Sequence, residues 1–295
     1  MKFLKGLALT LLGFLLFLSL SVFGLALTLN YTVLNPDFVV SELDRLDISS
    51  LARGLLSQQI PQSGQFMAGA IDSAITDLEP WIKEQANTVI HSGYDYLKGK
   101  SQNLNLVISL EPAKEKLKES LRKAILQSPP PELQRLPPAE QERYFTEFYQ
   151  SFAREIPSKF EFNESSLSLE VKTGLEQAKQ YIGYFQLGYK ALIGFMLFLI
   201  LCIILIHRQV KGATRSLGST FLTYGVLEYA GIFAAKYFAG TQLGQLQIPA
   251  PLQTWLPQFL SDFLAPLEMF SLSLLIAGVV LIIVSFVYKP RQPSF

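Results

Sequence analysis

The sequence predicts an α-helical membrane protein, with four transmembrane helices plus a mostly helical (α+β) extracytoplasmic domain with a small sheet. Three observations lead there. Predominantly apolar runs recur at 7–29, 187–206, 217–239 and 267–287, each near the roughly 20 helical residues needed to cross ~30 Å of hydrocarbon. The chain is 49% hydrophobic but only 17% charged, below the ~25% usual for soluble domains. Its short Lys- and Arg-bearing segments all fall on one side of those runs.

The first run, 7–29, is uncharged and follows Lys2 and Lys5. A cleaved signal peptide has the same basic start, but its apolar part is usually only ~7–15 residues. The run is therefore read as a retained anchor. Arg208, Lys211 and Arg215 fill the turn between the second and third runs, and Lys289 and Arg291 follow the fourth. The loop 240–266 carries no Lys or Arg, so the positive-inside rule puts both termini in the cytoplasm and 30–186 outside it. The cytoplasmic face then consists of 1–6, 207–216 and 288–295. No kinase, nucleotide-binding or DNA-binding module fits there, so any cytoplasmic output is expected to pass through another protein.

The segment 30–186 is one domain by length. Counted to residue 189 it holds 16 Lys and Arg against 21 Asp and Glu, a mildly acidic, ordinary surface. Asn35, Pro36 and Asp37 read as N-cap, first-turn proline and acidic second position of a helix whose Val39, Leu43 and Leu46 share a face. A longer helix follows over 65–97, with Ile71, Ile75, Leu78 and Ile82 on one stripe, and Pro80 is expected to kink or divide it. The stretches 103–110 (NLNLVISL) and 159–167 (KFEFNESSL) alternate as strands do and can pair although they are not adjacent.

Between the strands lie a charged helix over 111–127, a proline-rich connector over 128–138 and a helix over 139–156. Phe145, Phe148, Tyr149, Phe152 and Ile156 recur at helical spacing and are read as core, not as a ligand-stacking face. Lys114, Lys116, Lys118, Arg122 and Lys123 look basic until Glu115 and Glu119 are set beside them, as on a solvated helix. The connector is read as a stiff surface linker in preference to a polyproline peptide ligand. Asn163-Glu164-Ser165 matches a glycosylation acceptor on the appropriate side.

Chemistry is mostly excluded. A net charge of +1 gives no field for nucleic acid, and a single cysteine, Cys202, allows no intramolecular disulfide. His91 and His207 are far apart, and no clustered ligand set for zinc or di-iron is visible. Nucleophile elbows, metalloprotease helices, phosphate-cradling loops and dinucleotide fingerprints are all missing. No catalytic, cofactor-binding or metal-ligating residue is assigned, and the chain is not expected to be an enzyme.

Polar residues within the membrane runs are better candidates, because burying a charge there is costly. Glu228 lies near the middle of the third run. It is read either as a proton- or ion-linked carboxylate or, by preference, as a neutral acid hydrogen-bonding a neighbour, with Tyr224 and Tyr229 within reach. Lys236 and Glu268 lie near the outer boundary, where they can pair across two spans or snorkel. The loop 240–266 contains an amphipathic helix whose apolar face bears Trp255, Phe259 and Phe263. It lies either in the outer membrane interface or against the base of the external domain.

One span, a large external domain and three further spans is similar to the topology of FtsX and MacB type permeases. Lys211-Gly212-Ala213-Thr214-Arg215, followed by Phe221 and Glu228, resembles the Gly-Ala-Thr stretch entering the third span of that family. The resemblance implies a subunit that transmits the action of an ATPase across the membrane. The short segment before the first span and the short inner loop depart from the family pattern, so no functional residue is carried over. As a whole the chain resembles prokaryotic multi-spanning membrane proteins that lend it no activity. Three functions are therefore kept: a scaffold or binding subunit recognising a partner at the cell surface, a transmission subunit, and a sensor signalling through a separate cytoplasmic protein. The expected partners are the bilayer and a membrane or envelope protein, with room for a homo-oligomer.

Overall fold

Apolar side chains recur at helical spacing over most of this chain, and helix is what forms. The computed structural model describes residues 2–56, 65–127, 129, 133–163, 167–243 and 248–287. Its elements run α1 (Lys2–Tyr31), α2 (Pro36–Arg45), α3 (Ile48–Leu56), α4 (Gln65–Leu97), β1 (Asn105–Ser109), α5 (Glu111–Gln127), α6 (Pro138–Glu155), β2 (Lys159–Asn163), α7 (Leu169–His207), α8 (Val210–Leu243) and α9 (Ala250–Val287). They divide into two units, Met1–Phe38 with Gln180–Gln247 and Gln253–Phe295, and Val39–Lys179 with Ile248–Leu252.

In the first unit α1, α7 and α9 are long and apolar enough to cross a membrane, which makes this a multi-pass membrane protein. α8 is long enough, with 34 residues, but Lys211, Arg215, Glu228, Lys236 and its many Gly, Ser and Thr residues lower its apolarity. The four helices share a core of Leu16 and Leu20 from α1, Met196, Leu199 and Ile203 from α7, and Leu217 and Tyr224 from α8, with Phe270 and Leu274 of α9 packed against it. Phe14, Leu197, Phe198, Ile276 and Ile283 face outward, as expected where the solvent is lipid.

α8 and α9 approach backbone to backbone. A Cβ on Gly278 would stand 2.6 Å from the Leu222 backbone nitrogen and 2.9 Å from the Gly218 carbonyl oxygen. One on Gly225 would stand 2.7 Å from the Leu275 nitrogen and 2.8 Å from the Ser271 carbonyl oxygen. Gly218 and Gly225 on α8 face Ser271 and Gly278 on α9. Each pair is spaced by seven residues, so the small side chains stay on one seam for two turns. Ser271 and Ser285 are fully buried, and both hydroxyls donate to carbonyls of their own helix, so burial leaves neither donor unsatisfied.

The second unit is built around α4 and α5, which pack along each other, with α6 against α5 and α3 against α4. One cluster joins Leu121 and Ile125 of α5, Leu133 of the connector and Phe145 of α6. The other joins Tyr96 of α4, Leu104 and Leu106 to Phe162 of β2 and Leu175 of α7. β1 and β2 pair antiparallel, Asn105 opposite Asn163 and Ser109 opposite Lys159, so the two non-adjacent strands do meet. The N-cap at Asn35 also forms, its Oδ1 accepting from the Asp37 amide at 3.1 Å.

Several boundaries differ from the sequence reading. α4 runs through Pro80 undivided, although a proline removes one helical hydrogen bond, and it packs on α5. α7 begins well before its apolar run and extends over 39 residues. α9 joins the amphipathic segment and the last apolar run into one helix through Pro257 and Pro266. The connector is not only a surface linker: Leu133 is buried, and Gln141 donates to the carbonyls of Leu133 and Leu136 at 3.0 Å each. In the aromatic stripe of α6, Phe145 is buried and Tyr149 packs beside it, whereas Phe148 is exposed. Glu164 and Ser165 of the glycosylation triplet lie outside the described residues.

Candidate functional site

α4 presents Asp77, Trp81 and Glu84 at helical spacing, and α5 presents Pro112, Glu115, Lys116 and Glu119. Where the two helices pack, these side chains and Pro80 line a groove of about 580 Å³. Asp77 is fixed by the buried Ser120 hydroxyl, which donates to its Oδ2 at 2.9 Å. The Lys123 ammonium, 2.9 Å from Glu119, holds that carboxyl below the usual carboxylate range. The Glu84 and Glu115 carboxylates make no hydrogen bond or ion pair among the described residues. Four carboxylates thus face Lys116, with Lys123 at the rim, beside an indole. Such a groove favours a cationic group, and a guanidinium or ammonium gains further by lying over Trp81.

A second network fixes the middle of α4. Glu79 accepts from Lys83 and from the Ser49 hydroxyl of α3, and the Lys83 ammonium also donates to the Asp44 carbonyl at 2.7 Å. These donors lower the Glu79 pKa. At the C-terminal end of α4, Tyr96 donates to Glu176 of α7 at 2.7 Å, and Lys179 lies 4.7 Å from the Tyr96 ring centroid.

In the first unit, Lys236 and Glu268 form an ion pair between α8 and α9, which is the pairing alternative of the sequence reading. Trp255 stacks on Phe259 at 4.8 Å between centroids, Phe259 on Phe263 at 6.1 Å, and Phe38 packs on Phe259 at 6.1 Å. The amphipathic stripe is therefore a continuous aromatic ladder on α9.

Glu228 departs from expectation. It is half-buried, and among the described residues it makes no hydrogen bond or ion pair, with Tyr224, Tyr229 or anything else. Tyr224, one helical turn away, is instead packed into neighbours on α1 and α9. Its ring meets Phe17 and Phe270 edge-on at 5.8 and 5.9 Å. Its hydroxyl lies 2.6 Å from where a Gly24 Cβ would stand, fully buried and, among the described residues, without a hydrogen-bond partner.

No family model, no curated protein and no solved structure matches the chain.

Among the described residues no group of three or more His, Cys, Asp and Glu side chains is placed to hold a metal ion. Cys202 is half-buried. Sequence reasoning did not find the groove, because each of its walls reads alone as an ordinary solvated helix face. The available signal was the exposed Pro112 and the tryptophan following Pro80, neither of which a solvated face requires.

Proposed function

We propose that this chain is a non-enzymatic, multi-pass membrane subunit whose domain over 30–186 lies outside the cytoplasm and binds a partner there. In this reading α8 is the fourth span, and both termini are cytoplasmic. The observation that carries the proposal is the groove between α4 and α5. Its carboxylates and Trp81 suit a Lys- or Arg-bearing segment of another envelope or membrane protein. No nucleophile and base stand together in it, which favours recognition over reaction.

The test is a photo-crosslinking residue at position 81 of the full chain in native membranes, with position 146 on exposed α6 as control. A defined, salt-sensitive adduct at 81 that disappears in Glu84→Gln/Glu115→Gln, with no matching adduct at 146, is the expected result. Adducts equal at both positions, or indifferent to the two substitutions, would overturn the reading.

A second reading has its own observation. α7 is one uninterrupted helix whose first turns, 169–179, belong to the second unit and whose remainder belongs to the first. A helix without a loop at that junction suits a transmission subunit acting with an ATPase, as the FtsX and MacB resemblance implies. Stoichiometric co-purification of an ATPase would favour it over the scaffold reading.

A further inference from the structure

The charged end of the first unit contains a cleft that the binding function does not use. It lies between α1 and α8, has a volume of about 590 Å³, and is closed at one side by His207. On α8 the lining positions Gly212, Arg215, Ser216, Ser219 and Thr220 fall at helical spacing on one face. That face carries no large apolar side chain, although it belongs to a helix packed among membrane helices. Leu9 and Phe14 of α1 supply the opposite, apolar wall.

The cleft is built and not merely left over. His207 ends α7, and its Nδ1 lies 3.1 Å from the Ile203 carbonyl. Arg208 then turns the chain with φ of +54°, the left-handed conformation that closes many helices. The imidazole lies so close over α8 that a Cβ at Gly212 would stand 2.4 Å from its Cδ2. Glycine at 212 is what lets the ring lie there.

The donors follow one another along α8. Arg215 is exposed at the mouth, where a planar guanidinium can hold two phosphate oxygens at once. Ser216 and Ser219 follow further along the helix, and among the described residues their hydroxyls make no hydrogen bond. Thr10 and Thr220 differ, since their protons go to the Gly6 and Ser216 carbonyls. A cation and free hydroxyl donors on one wall and apolar side chains on the other suit a phospholipid's phosphate, ester carbonyls and acyl chain.

We infer that this cleft seats the headgroup of an anionic phospholipid from the leaflet at the basic end of the bundle. Arg215 holds the phosphate, Ser216 and Ser219 donate to the ester carbonyls, and Leu9 and Phe14 flank the first part of a chain. Basic pockets between membrane helices on the cytoplasmic side suit such headgroups generally, and the basic turn over 208–215 gives the approach a favourable field.

Native mass spectrometry of the purified full chain tests the inference, with phosphatidylglycerol, phosphatidylcholine and inorganic phosphate offered separately. Phosphatidylglycerol is expected to remain bound after detergent is removed and to exceed phosphatidylcholine. Arg215→Gln should lower its occupancy about fivefold, the worth of one cation near an anionic surface. Lys211→Gln removes an exposed charge outside the cleft and should change occupancy far less. Phosphatidylglycerol should also raise the melting temperature of the wild type but not of Arg215→Gln, a readout that shows the variant is folded. Equal losses in both variants would leave only diffuse attraction, and indifference to headgroup charge would remove the phosphate site. Full competition by millimolar phosphate, or by an acidic peptide, would show that no lipid seat exists.

Discussion

Replacing Gly278 by alanine tests whether the α8–α9 seam holds the membrane unit together. The new methyl would meet Leu222 N at 2.6 Å, Gly218 O at 2.9 Å and Leu222 Cα at 2.9 Å, all of them backbone atoms that no rotamer change can move. Ordinary contact begins near 3.4 Å, so the helices must part by about 0.8 Å along the seam. A gap of 0.5–1 Å forfeits about a quarter to a half of each dispersion contact, and overpacking of this kind costs about 1–3 kcal/mol. In lipid no hydrophobic force between helices offsets that loss. Gly231→Ala on the partner helix α8 is the control, since nothing lies within 4 Å of its Cβ; relief of the glycine penalty should stabilise it by about 0.5–1 kcal/mol. Thermal unfolding in one detergent should show Gly278→Ala several degrees below wild type and Gly231→Ala level with it or above. Equal melting temperatures for the two variants would refute the seam as a close backbone contact.

Topology can be checked by cysteine labelling in a Cys202→Ser background: Asn103→Cys and Thr241→Cys should react with an impermeant thiol reagent in intact cells, and Thr214→Cys should not. Because its partners depress the Glu79 pKa, the stability they confer is present above the ordinary value of 4.5 and is lost as pH falls through the lower folded value. Glu79→Gln should therefore flatten the acid limb of the unfolding curve, and an unchanged limb would remove Glu79 from the account. A chelator should leave the melting temperature unchanged, since a structural metal would contribute directly to folding free energy. Glu228→Gln should fold like wild type; retained function would make the carboxyl structural, whereas lost function with wild-type stability would make it a proton- or ion-handling group.

What the sequence made legible was periodic. The apolar stretches of α1, α7 and α9, the capped start of α2 and the two alternating strands each declare themselves within a dozen or two residues. The partners of those elements do not. Asp77 and Glu84 look the same whether α5 lies across from them or water does, and only their apposition with Glu115 and Glu119 makes a groove. Lys236 and Glu268 are 32 residues apart, and their pairing depends on how α8 crosses α9. The glycines of that crossing were in plain view, yet Gly231 and Gly225 are equivalent in sequence and opposite in environment. Tyr224 misled for a tertiary reason, since spacing of four residues suggested a bond to Glu228, whereas its ring is taken up by Phe17 of α1 and Phe270 of α9.

α8 is the least apolar of the four long helices of the first unit, and several of its glycines admit close neighbours; these two properties have one cause. Glycines on its sides admit α9 at Gly218 and Gly225 and the His207 ring at Gly212, while Gly24 of α1 admits the Tyr224 hydroxyl. Its Lys236 is matched by Glu268, and Thr214 and Thr220 return their protons to its own backbone. Small and polar residues that would be poor against lipid are thus used against other helices, where close backbone approach replaces the hydrophobic force that a bilayer does not supply. A helix of this composition reads as marginal by hydropathy because its solvent is protein on several sides. Glu228 stands outside that scheme, half-buried and met by no donor among the described residues. With α8 as the proposed fourth span, an ionised carboxylate at mid-membrane would cost ~2.5–3.5 kcal/mol on insertion scales, so Glu228 would either stay protonated or face a donor supplied from outside the chain.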